Sequence, residues 1–390
     1  MAAGRPVAAR SPAGRPDATL ADVAALAGVS LATASRALHS TGGRTVRAEA
    51  AERVRAAAVT LRYVPNAAAR ATARGRTDTV ALIVHDIADP FTAALTGAVM
   101  SAALADDLIV TIAATAGDPE IELRHLEQFR RQRARAVILA GSRFTDADSG
   151  PLLAAEIDAF TTGGGQVVVI GSPGQGLEHV PTVPIDEQDG AARLGAVLCT
   201  LGYRTFAVLA GPENLVSSEQ RLAGFRRGVA GHGGIVPDEW VLSVQWSRDG
   251  GYVGMRELLD QGLDIAEVDA VFAVNDVMAI GAMAALAEHG YRVPEDVALA
   301  GFEDVPMLRD IRPSLTTVTL PAVEIARTAT RRALHEAPHP DTTRESTAGD
   351  AGRAESPRER PEFPNPSAAV RLEVVVRSST PDRRPSSGGR

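Results

Sequence analysis

Residues 19–38, Thr-Leu-Ala-Asp-Val-Ala-Ala-Leu-Ala-Gly-Val-Ser-Leu-Ala-Thr-Ala-Ser-Arg-Ala-Leu, set two short helical patterns on either side of Gly28-Val29-Ser30. Leu20, Val23, Ala24 and Ala27 recur at the i, i+3, i+4, i+7 spacing of one helical face. Gly28 stands where a helix end needs a residue free to take positive φ. Ser30 can then cap the next helix, because its hydroxyl accepts an otherwise unpaired backbone N–H. Val29 and Leu38 can close a small core under both helices. The pattern predicts a helix-turn-helix, a unit whose second helix fits a DNA major groove. The plainer alternative is an ordinary helical hairpin.

Charge decides between these. Residues 1–77 hold twelve arginines against four acids, a charge of +8, whereas the whole chain carries −8, so residues 78–390 carry −16. A basic head on an acidic body is the asymmetry of a nucleic-acid-binding module joined to something else. Residues 48–62 read as a third helix, with Ala51, Val54, Ala58 and Leu61 on one face. An Ala-rich stretch follows, opened by Pro65, a residue suited to a first helical turn. It spans about ten residues, short of the 12–15 or so that an isolated helix needs in water. Such a segment folds when a partner supplies contacts.

From residue 79 onward short apolar runs alternate with helical patterns. Strands read at 79–84, 108–113, 136–140, 166–170, 205–210, 269–274 and 297–301, with helices between them, for example at 188–201. Continuous apolar strands separated by helices predict an α/β doubly wound body with buried parallel strands. The pattern leaves the number of sheets open. Residues 337–368 break it with Pro, Thr, Arg, Glu, Ser and Gly, and read as a low-complexity insert between a last helix (321–335) and a terminal strand (372–376). Residues 1–18 have no apolar core of a signal sequence and read as a disordered basic tail. No apolar run approaches the roughly 18 residues of a membrane span. The single Cys199 cannot form an internal disulfide, so a reducing, cytoplasmic setting is expected.

Motifs in order carry a resemblance. They are Thr19-Leu20-Ala21-Asp22-Val23-Ala24 with Ala27-Gly28-Val29-Ser30, Thr33 and Ser35-Arg36; then Tyr63, Pro65-Asn66, Ala69-Arg70 and Gly75-Arg76-Thr77. Further on stand Asp89-Pro90-Phe91, Arg221-Leu222-Ala223-Gly224-Phe225, Asn275-Asp276-Val277-Met278-Ala279, Val293-Pro294-Glu295-Asp296-Val297 and Leu315-Thr316-Thr317-Val318. From residue 19 to about 335, and again at 371–380, the chain resembles the lactose-repressor (LacI/GalR) family of bacterial transcription regulators. The resemblance implies an N-terminal all-α helix-turn-helix domain plus an α/β periplasmic-binding-protein-like body of two Rossmann-like subdomains joined by three crossovers. The expected domains are the tail 1–18, a helix-turn-helix domain at 19–64, a hinge helix at 65–77, a body at 78–336 and 369–380, the insert 337–368, and a disordered tail at 381–390.

By the same resemblance, Leu31, Ala32 and Arg36 are the base readers. Arg36 suits guanine; Leu31 meets thymine methyls or else caps its own module's core. Ser30, Thr33 and Ser35 position the helix on phosphates. Hinge residues Asn66, Arg70, Thr72 and Arg74, with Arg76, complete the DNA contacts. Thr72 stands where the family wedges a base step with Leu, so a weaker wedge and less operator bending are expected.

Effector residues carried over are His85, Asp89, Phe91, Arg221, Trp246, Asn275 and Glu303. Glu303 stands in place of a usual Asp, and Gly171 and Ser172 replace a frequent Asp and Arg. Each has a plainer alternative: Trp246 as core, Arg221 as a surface ion pair and Glu303 as a turn carboxylate. The partners implied are an operator duplex, a sugar or nucleoside-like effector and a second copy of the chain, with no membrane, no cofactor and no metal.

An enzyme reading finds little support. Val84-His85-Asp86-Ile87 lacks the glycines of a dinucleotide-binding turn, and Gly171-Ser172-Pro173-Gly174-Gln175-Gly176 has the wrong spacing. No Walker motif, zinc-ligand spacing or nucleophile elbow is present. A transport-type solute-binding protein would share the body but not the basic helical head. A regulator whose body binds no small molecule remains the nearest alternative.

Overall fold

The computed structural model describes residues 18–38, 46–64, 71, 75–145, 150–174, 176–335 and 370–384. The chain divides after Thr77 into two compact units.

The first unit holds α1 (Leu20–Ala27), α2 (Leu31–Leu38) and α3 (Ala48–Thr60). Thr19 caps α1 reciprocally: its hydroxyl accepts the Asp22 amide at 3.3 Å, and its own amide donates to the Asp22 carboxylate at 2.8 Å. Gly28 takes φ +66°, and the Ser30 hydroxyl accepts the Thr33 amide at 3.2 Å. Both are as the sequence predicts. Val23, Ala24, Ala27, Ala34, Val54 and Ala57 form the core, with Val29 and Leu38 against it. On α3 the fully buried place belongs to Ala57; Ala58 is only half-buried.

The second unit contains two parallel sheets. One runs β2-β1-β3-β4-β5, from β1 (Thr79–Val84), β2 (Ile109–Ala114), β3 (Ala136–Ala140), β4 (Gln166–Ile170) and β5 (Thr182–Val183). The other runs β7-β6-β8-β9, from β6 (Phe206–Ala210), β7 (Val241–Ser243), β8 (Ala270–Ala273) and β9 (Ala298–Ala300). The first lobe carries α4 (Pro90–Leu104), α5 (Pro119–Arg131) and α6 (Gly150–Thr162), and the second α7 (Glu187–Thr200), α8 (Val216–Ala230), α9 (Arg248–Asp260) and α10 (Asp276–Glu288). The last helix, α11 (Ala322–His335), returns to pack on α4, β3 and β4. An antiparallel pair, β10 (Thr317–Val318) and β11 (Val374–Val375), sits where the chain passes between lobes.

The chain therefore changes lobe near Ile185, near Leu320, and again between α11 and Arg377. In each sheet the strand order reverses beside the first strand, and the loops leaving such a switch point frame a crevice. The loops after β1, β3, β6 and β8 are thus set to meet.

Three short strands, β5, β7 and β10, are absent from the sequence reading, being too short to show a period. Residues 381–384, expected to lie in a disordered tail, are tied to the second lobe. Tyr203 donates to the Pro381 carbonyl at 2.8 Å, and Arg383 pairs with Asp269 at 2.6 Å. The expected insert 337–368 and hinge residues Asn66, Arg70, Thr72 and Arg74 lie outside the described residues.

Candidate functional site

Two helices place the central cation. Helices α7 and α8 pack so closely that a Cβ on Gly224 would stand 2.0 Å from the Gln188 carbonyl oxygen, and one on Gly228 2.0 Å from that of Ala192. This approach brings Glu187, on the first turn of α7, against Arg221 on α8. The Arg221 Nε and Nη2 donate to Glu187 Oε1 at 3.0 and 2.5 Å. Its Nη1 donates to Glu303 Oε1 at 3.0 Å and to the Val274 carbonyl at 2.7 Å. The guanidinium carbon lies 4.9 Å from the Trp246 ring centre and 4.2 Å from that of Phe302. Trp246 reaches this place because Gly211 has no side chain: a Cβ there would meet the indole at 2.5 Å.

The cluster is dry. Arg221, Glu187 and Glu303 side chains are 4%, 8% and 4% exposed. Burial opposes the charge on Arg221, yet the two carboxylates outweigh it and hold its pKa above the usual value. Burial pushes Glu303 well up, and Arg221 only partly offsets this, while Asp89 and Asp276 add to the rise. The Glu303 Oε2 is buried with no hydrogen-bond partner among the described residues. Glu303 also holds φ +123°, a region unfavourable to any side chain. Its amide donates to the Val318 carbonyl at 2.7 Å and its carbonyl accepts from Leu320 at 3.1 Å, which keeps it there. Behind it Asp276, fully buried, accepts from the Thr317 hydroxyl at 2.6 Å and the Val305 amide at 3.0 Å; burial lifts its pKa to about 6.

His85, Asp89, Phe91, Arg221, Trp246 and Glu303 line one cavity of about 130 Å³ between the lobes, together with Gly171 and Ser172. Asp89 also caps α4, accepting the Thr92 amide at 2.7 Å. Asn275 does not line this cavity. Its Oδ1 caps α10 by accepting the Met278 amide at 2.8 Å, and its Nδ2 is buried with no partner among the described residues. The lobes also meet through their loops. The Val216 amide donates to the Arg143 carbonyl at 2.9 Å, Thr145 to Asn214 at 2.8 Å, and Ser217 to the Ser142 hydroxyl at 2.9 Å.

In the first unit Leu31 is 54% exposed and outside the helical core, so it does not cap that core. Ser30, Ala32 and Arg36 are exposed, and Thr33 and Ser35 half-buried. The Arg36 Nε donates to the Ala32 carbonyl at 3.0 Å, laying its stem along α2.

Glu187 and Phe302 escaped the sequence reading. Glu187 was legible only as an acid opening a helix, and nothing in one dimension sets it opposite Arg221.

Comparison with known proteins agrees with this arrangement. The model of bacterial regulatory proteins of the lacI family matches residues 19–66, and that of the periplasmic binding protein-like domain matches 196–351. The regulator GalR of Escherichia coli K12 is 33% identical over 317 residues, 81% of this chain and 88% of that protein. The chain belongs to the LacI family of bacterial transcriptional regulators. The structure of a CelR–cellobiose complex, 30% identical, covers 94% of this chain and all of its own with a TM-score of 0.61. The lac repressor dimer bound to operator and an anti-inducer, 22% identical, shares the fold with a TM-score of 0.72 over 94% of this chain. A LacI-type helix-turn-helix head followed by a periplasmic-binding-protein-like body of parallel sheets is therefore the architecture of this chain. As in its LacI-family relatives, the head is the DNA-binding element of a transcription regulator.

Proposed function

We propose that the chain is a ligand-responsive repressor that binds a palindromic operator as a homodimer, with a sugar-like effector in the cleft between its lobes. The observation that carries the reading is the cleft itself. A buried arginine sits on an indole and is flanked by two carboxylates, with an unpartnered acceptor at Glu303. Carboxylate acceptors, a fixed cation and an aromatic face are the groups that recognise a hydroxylated ring. That the related CelR was solved with cellobiose supports a saccharide. The exposed Leu31, Ala32 and Arg36 on α2, in the arginine-rich unit, supply the base-reading surface.

Mechanism follows from where ligand would sit. A molecule in the cleft touches loops of both lobes, so it binds open and closed forms with different affinity and shifts their balance. Coupling of about 1–3 kcal/mol to operator affinity is ordinary for such systems. Selection of bound duplexes from a random pool, repeated across salt, tests the reading. Two inverted half-sites and a slope near −0.9 per neutralised phosphate are expected. A monomer without preference for any palindrome over scrambled duplex would refute it.

A further inference from the structure

Helix α8 carries Arg221, and its N-terminus has no cap of its own: Leu215 at the N-cap makes no side-chain bond to the first turn. The first amides of a helix lack intrahelical acceptors. On α8 the other lobe supplies them. The Val216 amide donates to the Arg143 carbonyl at 2.9 Å, and the Ser217 amide to the Ser142 hydroxyl at 2.9 Å. In return the Thr145 amide donates to the Asn214 carbonyl at 2.8 Å, and Phe144 pairs with Leu215 as an antiparallel bridge. A strap at 142–145, which leaves β3, thus forms one short ladder with the segment that leads from β6 into α8.

Both sides are built to hold this ladder. Arg143, only 9% exposed, donates from Nη2 to Glu122 at 2.7 Å and from Nη1 to the Gly141 carbonyl at 3.2 Å. Its side chain lies against Gly174, where a Cβ would stand 3.1 Å from its Cδ. Across the ladder Leu215 is buried, and Asn214 takes φ +61°, a left-handed turn that asparagine tolerates better than most residues. Ser142, Leu215 and Ser217 wall the inter-lobe cleft, together with Ile185 and Leu320 at two of the chain crossings. Arg143, Phe144 and Thr145 wall a separate cavity of about 400 Å³ within the first lobe, and His85 stands between it and the cleft. The crossings join the lobes covalently, whereas the ladder is a tie that can part.

We propose that this cross-lobe cap is a latch. It holds the lobes closed without help from any ligand, and a molecule enters or leaves the cleft only when the strap parts from α8. The latch stands independently of which molecule the cleft binds, and it adds a barrier to exchange that the open and closed forms alone do not specify.

Val216→Pro tests it. Position 216 is the first residue of α8, a place suited to proline. Leu215 before it is already extended, at φ −82° and ψ 114°, as a residue preceding proline needs to be. The substitution therefore removes the donor to Arg143 and leaves the helix intact. Hydrogen exchange of the full chain, read by mass spectrometry, follows the amides of Thr145 and Ser217, which keep their own acceptors in the variant. As members of one latch they should exchange about 2- to 10-fold faster than in wild type, the equilibrium ratio equivalent to one hydrogen bond. A thiol placed in the cleft wall by Ser172→Cys should react with a chromogenic aryl disulfide faster by a similar factor once Val216→Pro is added; the native Cys199 is buried. Ser142→Ala, which removes only the acceptor for Ser217, should speed Thr145 exchange and the thiol reaction alike, and it serves if Val216→Pro does not fold. Unchanged exchange at Thr145 overturns the latch, because the bonds then act singly. Faster exchange with an unchanged thiol rate overturns it too, because the strap then parts without opening the cleft.

Discussion

Replacing Arg221 with methionine strikes the most heavily buried charge in the molecule's cleft. The substitution keeps much of the apolar stem but leaves Glu187 and Glu303 facing each other with no cation between them. At an effective dielectric near 20, opposite charges about 3 Å apart attract by about 5 kcal/mol. Desolvation of the ions consumes most of that gain in the intact cluster. Removing one member leaves the desolvation uncompensated, and breaking a buried pair in this way costs about 3–5 kcal/mol. That is a large part of a typical domain stability of about 5–15 kcal/mol.

The loss must depend on pH. Burial already raises the Glu303 pKa against the opposing pull of Arg221, and without the arginine it climbs further. A carboxyl whose folded pKa lies above its unfolded value favours the fold while protonated, and that contribution is lost as pH rises through the folded pKa. Arg221→Met should therefore be much closer to wild type at pH 5 than at pH 8. Adding Glu187→Gln and Glu303→Gln should recover most of the stability at pH 8. Urea unfolding of the full chain at both pH values measures this. A loss below about 1 kcal/mol at pH 8, the range of an exposed ion pair, or an equal loss at both, would refute a buried, mutually dependent cluster.

Other expectations follow from single groups. Gly224→Ala puts a methyl 2.0 Å from the Gln188 carbonyl oxygen; parting α7 from α8 should cost about 1–3 kcal/mol by thermal or urea unfolding and weaken effector binding, because Glu187 moves off Arg221. Gly97→Ala, on exposed helix with nothing within 4 Å, should instead stabilise by about 0.5–1 kcal/mol. Asp276, at a pKa of about 6 against 3.8, should make wild type lose about 2 kcal/mol relative to Asp276→Asn as pH rises from 4 to 6, read by urea unfolding across that range. Arg36→Ala should cost about 1–3 kcal/mol on the selected operator and relax preference at one guanine, seen by repeating the duplex selection.

The sequence alone determined the longer elements and their order, and missed only short strands such as β5, β7 and β10. Gly28 at a helix end, Ser30 at a helix start and the alternation of apolar strands with helices are local signals, because capping and periodicity act within a few residues. It also pointed to Arg221, Trp246 and Glu303 through the family resemblance. What the tertiary structure alone decided is which groups meet. Glu187 is 34 residues from Arg221, and Glu303 82; their contact depends on glycines that let α7 touch α8 and on the backbone of the β10 crossing. Asn275 reads like a ligand contact in one dimension, yet its carbonyl is spent on a helix cap. The first-lobe cavity has no motif at all, since an unfilled volume arises from the packing of several loops and leaves no mark on any one of them.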